Sequence, residues 1–154
     1  MATNLTLPCD GGLVNLRVGA IIQKNGKFLM AGNDRDAYLY SVGGRIRFGE
    51  TAGEAVVREV REETGLEVRL DAFLGIFHNH NMVWSNGDAA HVISAMYTAS
   101  IVSGEPRIDE ESYELRFFGK EEIPDLFAED HIACLDAYFK GIRYPLLREN
   151  KLPD

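Results

Sequence analysis

The sequence predicts an α/β fold of the α+β kind, a sandwich in which a mixed, largely hairpin-connected sheet lies between helices. Three observations predict it. Apolar residues alternate from Leu16 to Ile22 and an Asn25-Gly26 turn signal follows them. The segment Thr51–Glu63 carries helix signals at both ends, and a second amphipathic helix follows a run of strand-like segments.

Leu16, Val18, Ala20 and Ile22 have the period of a half-buried strand, with Arg17 and Gln23 on the other parity. Asn25-Gly26 then predicts a two-residue hairpin with a return strand over Lys27–Met30. Asn33–Asp36 reads as a polar loop and Tyr38–Ser41 as a short strand, after which Gly43, Gly44 and Gly49 are expected to break regular structure. Thr51-Ala52-Gly53-Glu54 has the form of a capping box, and Gly65 sits where a glycine would end the helix. Val56 and Val60 form its sheet-facing stripe, while Glu54 and Arg58 are spaced to pair. The continuously apolar Ala72–Phe77 predicts an interior strand covered on both faces. Asn86-Gly87 predicts a turn into a strand over Ala90–Ile101, and Ser112–Phe118 another strand. Asp130 is placed to cap a last helix with Ile132, Leu135 and Phe139 on one stripe and Gly141 after it.

The chain of 154 residues is expected to form a single domain. Its 16 basic and 24 acidic residues give 16 − 24 = −8. That balance argues against an extended nucleic-acid footprint and suits a protein whose acidic groups gather cations. No run reaches the roughly 20 apolar residues that span a bilayer. Met1–Gly12 lacks a basic stretch followed by an apolar one, so a cytoplasmic location is expected, with Cys9 and Cys134 as free thiols.

The chemistry concentrates in one helix. Glu59, Glu62 and Glu63 stand at i, i+3 and i+4, so their side chains share a face. Three like charges in a last turn, where the helix dipole disfavours anions, destabilise an isolated helix. A solvated acidic face is the plain reading of such a run. The neighbouring Gly43-Gly44 and Glu50 favour another, that a hard divalent cation, Mg²⁺ or Mn²⁺, compensates the charge, because carboxylate oxygen is the donor such ions prefer.

Gly44, Glu50, Arg58, Glu59, Val60, Glu62, Glu63, Gly65 and Leu66 match, without a gap, the pattern G-x5-E-x7-R-E-U-x-E-E-x-G-U, where U is a bulky aliphatic residue. That pattern is the Nudix box, and the chain resembles the Nudix hydrolase family over residues 44–66. The flanking order of elements is similar to a Nudix domain from about Val14 to Gly141. The resemblance implies a Nudix-like α/β/α sandwich and a loop–helix–loop that holds Mg²⁺ or Mn²⁺ against a pyrophosphate. It implies Glu59, Glu62 and Glu63 as metal ligands, with the carbonyl of Gly43 or Gly44 as a further one. Arg58 would orient the glutamates and Glu50 would brace the loop. The general base would be a box glutamate (Glu59 or Glu62) or a later one, Glu111 or Glu114. Many relatives enter the box through Pro-Gly-Gly; here Val42-Gly43-Gly44 is expected to change the stiffness of the loop.

The expected reaction is divalent-metal-dependent hydrolysis of a diphosphate linkage in a small nucleotide. A nucleotide sugar such as ADP-ribose and a noncanonical nucleoside triphosphate are the leading classes. Pyrophosphate removal from an RNA 5′ end and a non-catalytic nucleotide-sensing module are the alternatives. A homodimer is compatible with the family, although no residue marks an interface. The proline expected after the box in ADP-ribose hydrolases is missing. Arg17, Arg45 and Arg47 are candidates for holding phosphate, Trp84 and Tyr38 for stacking a base, and His80 for a substrate contact. His78-Asn79-His80 puts two imidazoles on one strand face, as Zn²⁺ sites do, but no third soft ligand is near in sequence. With His91 they read as pocket or surface polar groups, and His131 and Cys134 as structural.

Overall fold

The computed structural model describes residues 4–32, 39–84, 86–107, 114–122 and 129–146. Strands β1 (Thr6–Cys9), β2 (Gly12–Lys24), β3 (Lys27–Gly32) and β4 (Leu39–Arg45) lead to helix α1 (Ala52–Thr64). Strands β5 (Glu67–Val83), β6 (Ala89–Ser103) and β7 (Glu114–Phe118) follow, then helix α2 (Glu129–Phe139). Among the described residues the strands form one seven-stranded sheet in the order β5-β6-β2-β4-β3-β7, with β1 also paired to β2. Among the described strands only the β2–β6 pairing is parallel, running from Leu13↔Ala90 to Gln23↔Ser100, so the sheet is mixed as expected.

Alternation along β2 builds two cores. Val18, Ala20 and Ile22 pack under α1 against Ala55, Val56 and Val60. Ile21 faces the other way and joins Phe28, Met30, Leu74, Met96 and Phe118 against Cys134 and Leu135 of α2. Val56 and Val60 are fully buried, and each such side chain contributes roughly 1.5–3 kcal/mol of burial. The sheet between its two helices is therefore the sandwich that the pattern predicts.

Local signals are satisfied where they are strongest. Asn25 (φ 53°) and Gly26 (φ 74°) turn β2 into β3 with Lys24 opposite Lys27. Thr51 and Glu54 make both halves of the capping box, and Gly65 ends α1 in the left-handed conformation. Trp84 and Asp88 close the β5–β6 turn through their backbones.

Several expectations are corrected. Gly43 and Gly44 do not break the chain; they are strand residues paired with Gly19 and Val18. A Cβ on Gly43 would lie 2.1 Å from the Val18 carbonyl oxygen, so glycine is there to let β4 approach β2. Val42, where relatives carry proline, is a buried ladder residue opposite Ala20, so the approach to the box is strand and not a loop of altered stiffness. Ala72–Phe77 belongs to an edge strand whose burial alternates, leaving Ile76 52% exposed. One face of it packs toward α2 through Leu74, and a register shift between Phe73 and Gly75 keeps Phe73 and Ile76 on the other. The described part of α2 starts at Glu129, one residue before Asp130, and Ile132 is exposed while Cys134 and Leu135 are buried. Strand β1 escapes the periodic reading because its burial does not alternate. Asn33–Asp36, Tyr38, and Ser112 of the seventh-strand reading lie outside the described residues.

The close β2–β4 approach gives a direct test. Gly43→Ala should lower stability by at least about 1–3 kcal/mol, the usual cost of overpacking, read as a fall in thermal and urea midpoints. Gly53→Ala on α1, where an added Cβ meets only Leu70 Cδ1 at 3.5 Å, should instead raise stability by a few tenths to about 1 kcal/mol.

Candidate active site

The β4–α1 connection folds the acidic helix face back onto the end of β4. The Glu63 carboxylate, on a residue only 8% exposed, accepts a 3.2 Å hydrogen bond from the Gly43 amide. Glu59 lies against Gly44 so closely that a Cβ there would be 2.3 Å from its carboxyl carbon. Both glycines thus serve the site as well as the strand. One admits a neighbouring backbone and the other a neighbouring carboxylate.

Arg58 ties the rest together. Its guanidinium donates to Glu50 through Nε and, at 3.0 Å, through Nη2. Nη1 donates to Glu59 at 2.8 Å and to Glu62 at 3.1 Å, and Nη2 also reaches the Arg45 carbonyl at 2.9 Å. Glu50 in turn accepts from the Arg47 amide at 2.9 Å, which folds the loop over itself. The Arg58 and Glu50 side chains are only 15% and 18% exposed, so their pairing is less screened than a surface ion pair. The pair expected between Glu54 and Arg58 is replaced, since Glu54 accepts from the Thr51 amide at the cap.

Electrostatics follow this geometry. Hydrogen bonds from Arg58, then from the Arg47 amide, hold the Glu50 carboxyl below the usual glutamate range against an opposing effect of burial. The same contacts raise the Arg58 guanidinium, chiefly through Glu50 and next through Glu59. Arg58 is therefore a fixed cation among three carboxylates.

The remaining candidates fall into groups. Arg47 ion-pairs with Glu62 at 3.6 Å and so joins the cluster. Arg45 stands across from Arg17 on β2, and its guanidinium lies over the Trp84 ring at 5.6 Å. Trp84 and Arg45 are thus one feature, anchored to the box by the Arg45 carbonyl. Gly65 closes the helix. His80 lies with His91 at the far end of β5, their ring centroids 6.2 Å apart. Glu114 is on β7 opposite Gly32, hydrogen-bonded to Arg116 at 2.9 Å, and β3 separates that strand from β4. Glu111 lies outside the described residues. Sequence spacing gave no signal for the backbone groups that position the carboxylates: the Gly43 and Arg47 amides and the Arg45 carbonyl.

The donor set fits a hard divalent cation. Glu59 and Glu63 offer carboxylate oxygens beside the β4 backbone and Glu62 a more exposed one between Arg58 and Arg47, and none of them is a soft donor. Among the described residues no three acidic, imidazole or thiol groups already surround one point. Arg58 is the cation that holds Glu59 and Glu62 as they stand. A cavity of about 830 Å³ opens beside the first turns of α1, walled by Leu70, Phe73, Ile76 and Tyr97 and reaching Arg58.

The lowered Glu50 carboxyl makes stability depend on pH. Because its folded pKa is below its unfolded value of about 4.3, its contribution is complete above that value and is lost as pH falls through the folded pKa. Glu50→Gln should therefore be less stable than the parent above about pH 5. The gap in urea midpoint should narrow as pH drops below about 4.

Comparison with known proteins agrees with this architecture. A family model described as the NUDIX domain matches residues 14–138. An ADP-ribose pyrophosphatase from Methanocaldococcus jannaschii is 31% identical over 126 residues, covering 80% of this chain and 72% of that protein. The human 8-oxo-dGDP phosphatase NUDT18 is 31% identical over 118 residues, 74% of this chain but 35% of that longer protein. A solved NUDIX hydrolase from Nitrosomonas europaea superposes with a TM-score of 0.74 at 26% identity, covering 90% of this chain and 99% of that one. The fold finds its counterpart there, and the chain belongs to the Nudix family of hydrolases acting on pyrophosphate bonds.

Proposed function

We propose that this chain hydrolyses the diphosphate linkage of a small nucleoside diphosphate derivative, with Mg²⁺ or Mn²⁺ held by Glu59, Glu62 and Glu63 and a backbone carbonyl of Gly43 or Gly44. The observation that carries this reading is the Arg58 cluster, in which one guanidinium aligns Glu59 and Glu62 while the β4 backbone receives Glu59 and Glu63. A divalent ion in such a site supplies charge neutralisation of the diphosphate and a lowered pKa for the attacking water.

The chain's own residues do the positioning. Arg58, fixed by Glu50, sets the carboxylates before substrate arrives, so little reorganisation remains at the moment of reaction. Arg45 and Arg47 stand at the end of β4 where phosphate oxygens would meet them, and Arg17 lies beside Arg45. Trp84, already under the Arg45 guanidinium, offers a face on which a base can stack. A net charge of −8 is then no obstacle to an anionic substrate, because cations stand between the two.

An ADP-ribose-like nucleotide sugar is the first substrate class, supported by the 31% identical pyrophosphatase that spans most of both chains. An oxidised nucleoside phosphate is the second, supported by the 8-oxo-dGDP phosphatase. Nucleotide sugars, dinucleotides, oxidised nucleotides and 5′-triphosphorylated RNA, assayed in Mg²⁺ with product identification, separate them. Cleavage of ADP-ribose to AMP and ribose 5-phosphate is expected, and turnover of the RNA alone would contradict the small-nucleotide reading.

Glu59→Gln and Glu63→Gln should each lower kcat by at least about 100-fold with an unchanged circular dichroism spectrum, since loss of mere outer-shell partners already costs about 10–100-fold. Near-parental turnover in either would remove that residue from the ligand set. Glu111 and Glu114 are the candidate proton acceptors outside the box. A Glu114→Gln pH–rate profile matching the parent's would remove Glu114 from that role.

A further inference from the structure

Away from the box, the β5–β6 hairpin gathers three imidazoles. His78 and His80 are two residues apart on β5 and both exposed, while His91 is half-buried on β6. The ladder pairs His78 with Ile93 and Asn79 with Val92, then shifts register before Met82↔Ala90. Two β5 residues, His80 and Asn81, thus stand opposite His91 alone. That irregularity brings His91 beside both β5 histidines, which sequence spacing does not show.

His78 Nδ1 and His91 Nε2 are 3.1 Å apart. Two nitrogens bound to one tetrahedral Zn²⁺ at about 2.0–2.1 Å are about 3.3 Å from each other. The pair therefore already spans one edge of such a tetrahedron. The His80 ring centroid is 6.2 Å from that of His91, and its Nε2 now meets Asn81 at 3.0 Å, so His80 joins by turning its side chain. Cys9 and Asp10 share with His80 and His91 the walls of a cavity of about 440 Å³. Imidazole nitrogen suits a borderline ion, in contrast to the carboxylate oxygens of the box.

We propose that His78, His80 and His91 form a second metal site, selective for a borderline transition ion of the Zn²⁺ class and separate from the carboxylate site. His78 and His91 hold the ion from the two strands of the hairpin and His80 completes the protein's contribution. The ion fastens the end of the edge strand β5 to β6.

The test is titration of the full chain with Zn²⁺ in 10 mM Mg²⁺, which occupies hard-donor sites, followed by competition with a chromophoric chelator. Co²⁺ is substituted as a spectroscopic probe. The expected result is one tight Zn²⁺ per chain and a visible Co²⁺ band characteristic of tetrahedral nitrogen coordination. His91→Ala and His78→Ala should each weaken Zn²⁺ at least tenfold, while Glu63→Gln leaves it unchanged. Absence of Zn²⁺ binding in Mg²⁺, or binding that survives both histidine substitutions, would overturn the site. So would loss of Zn²⁺ in Glu63→Gln. None of these readouts depends on pyrophosphatase turnover, so this site and the catalytic reading fail or stand independently.

Discussion

Three glutamates on the last turns of a helix repel one another and oppose its dipole; the Arg58 guanidinium offsets Glu59 and Glu62, and the Gly43 amide receives Glu63. Arg58 donates to Glu59, Glu62 and Glu50 and to the Arg45 carbonyl. Together the contacts constrain three pieces of chain: helix, loop and strand. Arg58 and Glu50 are partly shielded from solvent, so the pairing is less screened than a surface ion pair, and removing Arg58 would leave Glu50 without its cation. The fold of the loop around Glu50 and the direction of the Glu59 and Glu62 carboxylates follow from this group of contacts.

The second constraint is steric. Helix α1 can lay its acidic edge on β4 only because β4 presents no side chain there. At Gly44 the space is taken by the Glu59 carboxylate, and at Gly43 by the backbone of β2. The two glycines act on different neighbours, which is why a substitution at one is a question of folding and at the other a question of the site. Val42 completes the arrangement by filling the core beneath α1 while keeping its place in the ladder.

How legible this was depended on the range of the interaction. The hairpin at Asn25-Gly26, the capping box at Thr51 and the stop at Gly65 are set by a few adjacent residues, and each forms as its local chemistry dictates. The box could be recognised because its residues lie close in sequence. Pairing between distant strands could not. Gly43 and Gly44 look like a break until β2 is brought alongside, and Ala72–Phe77 looks like an interior strand until the sheet order puts it at an edge. His91 is grouped with His78 and His80 as a polar residue in the sequence, but only the register shift in the β5–β6 ladder puts it beside them. The amides and carbonyl that position the carboxylates are common to every residue and leave no trace in side-chain patterns.

Glu59 and Glu63, set beside Gly44 and Gly43 of β4, are the proposed seat of a hard dication. Electron paramagnetic resonance of Mn²⁺ added to the metal-free chain measures this most directly, by counting bound ions without requiring a substrate. At least one Mn²⁺ should bind per chain, with affinity reduced tenfold or more in Glu59→Gln and in Glu63→Gln. Affinity equal to the parent's in both variants would contradict it.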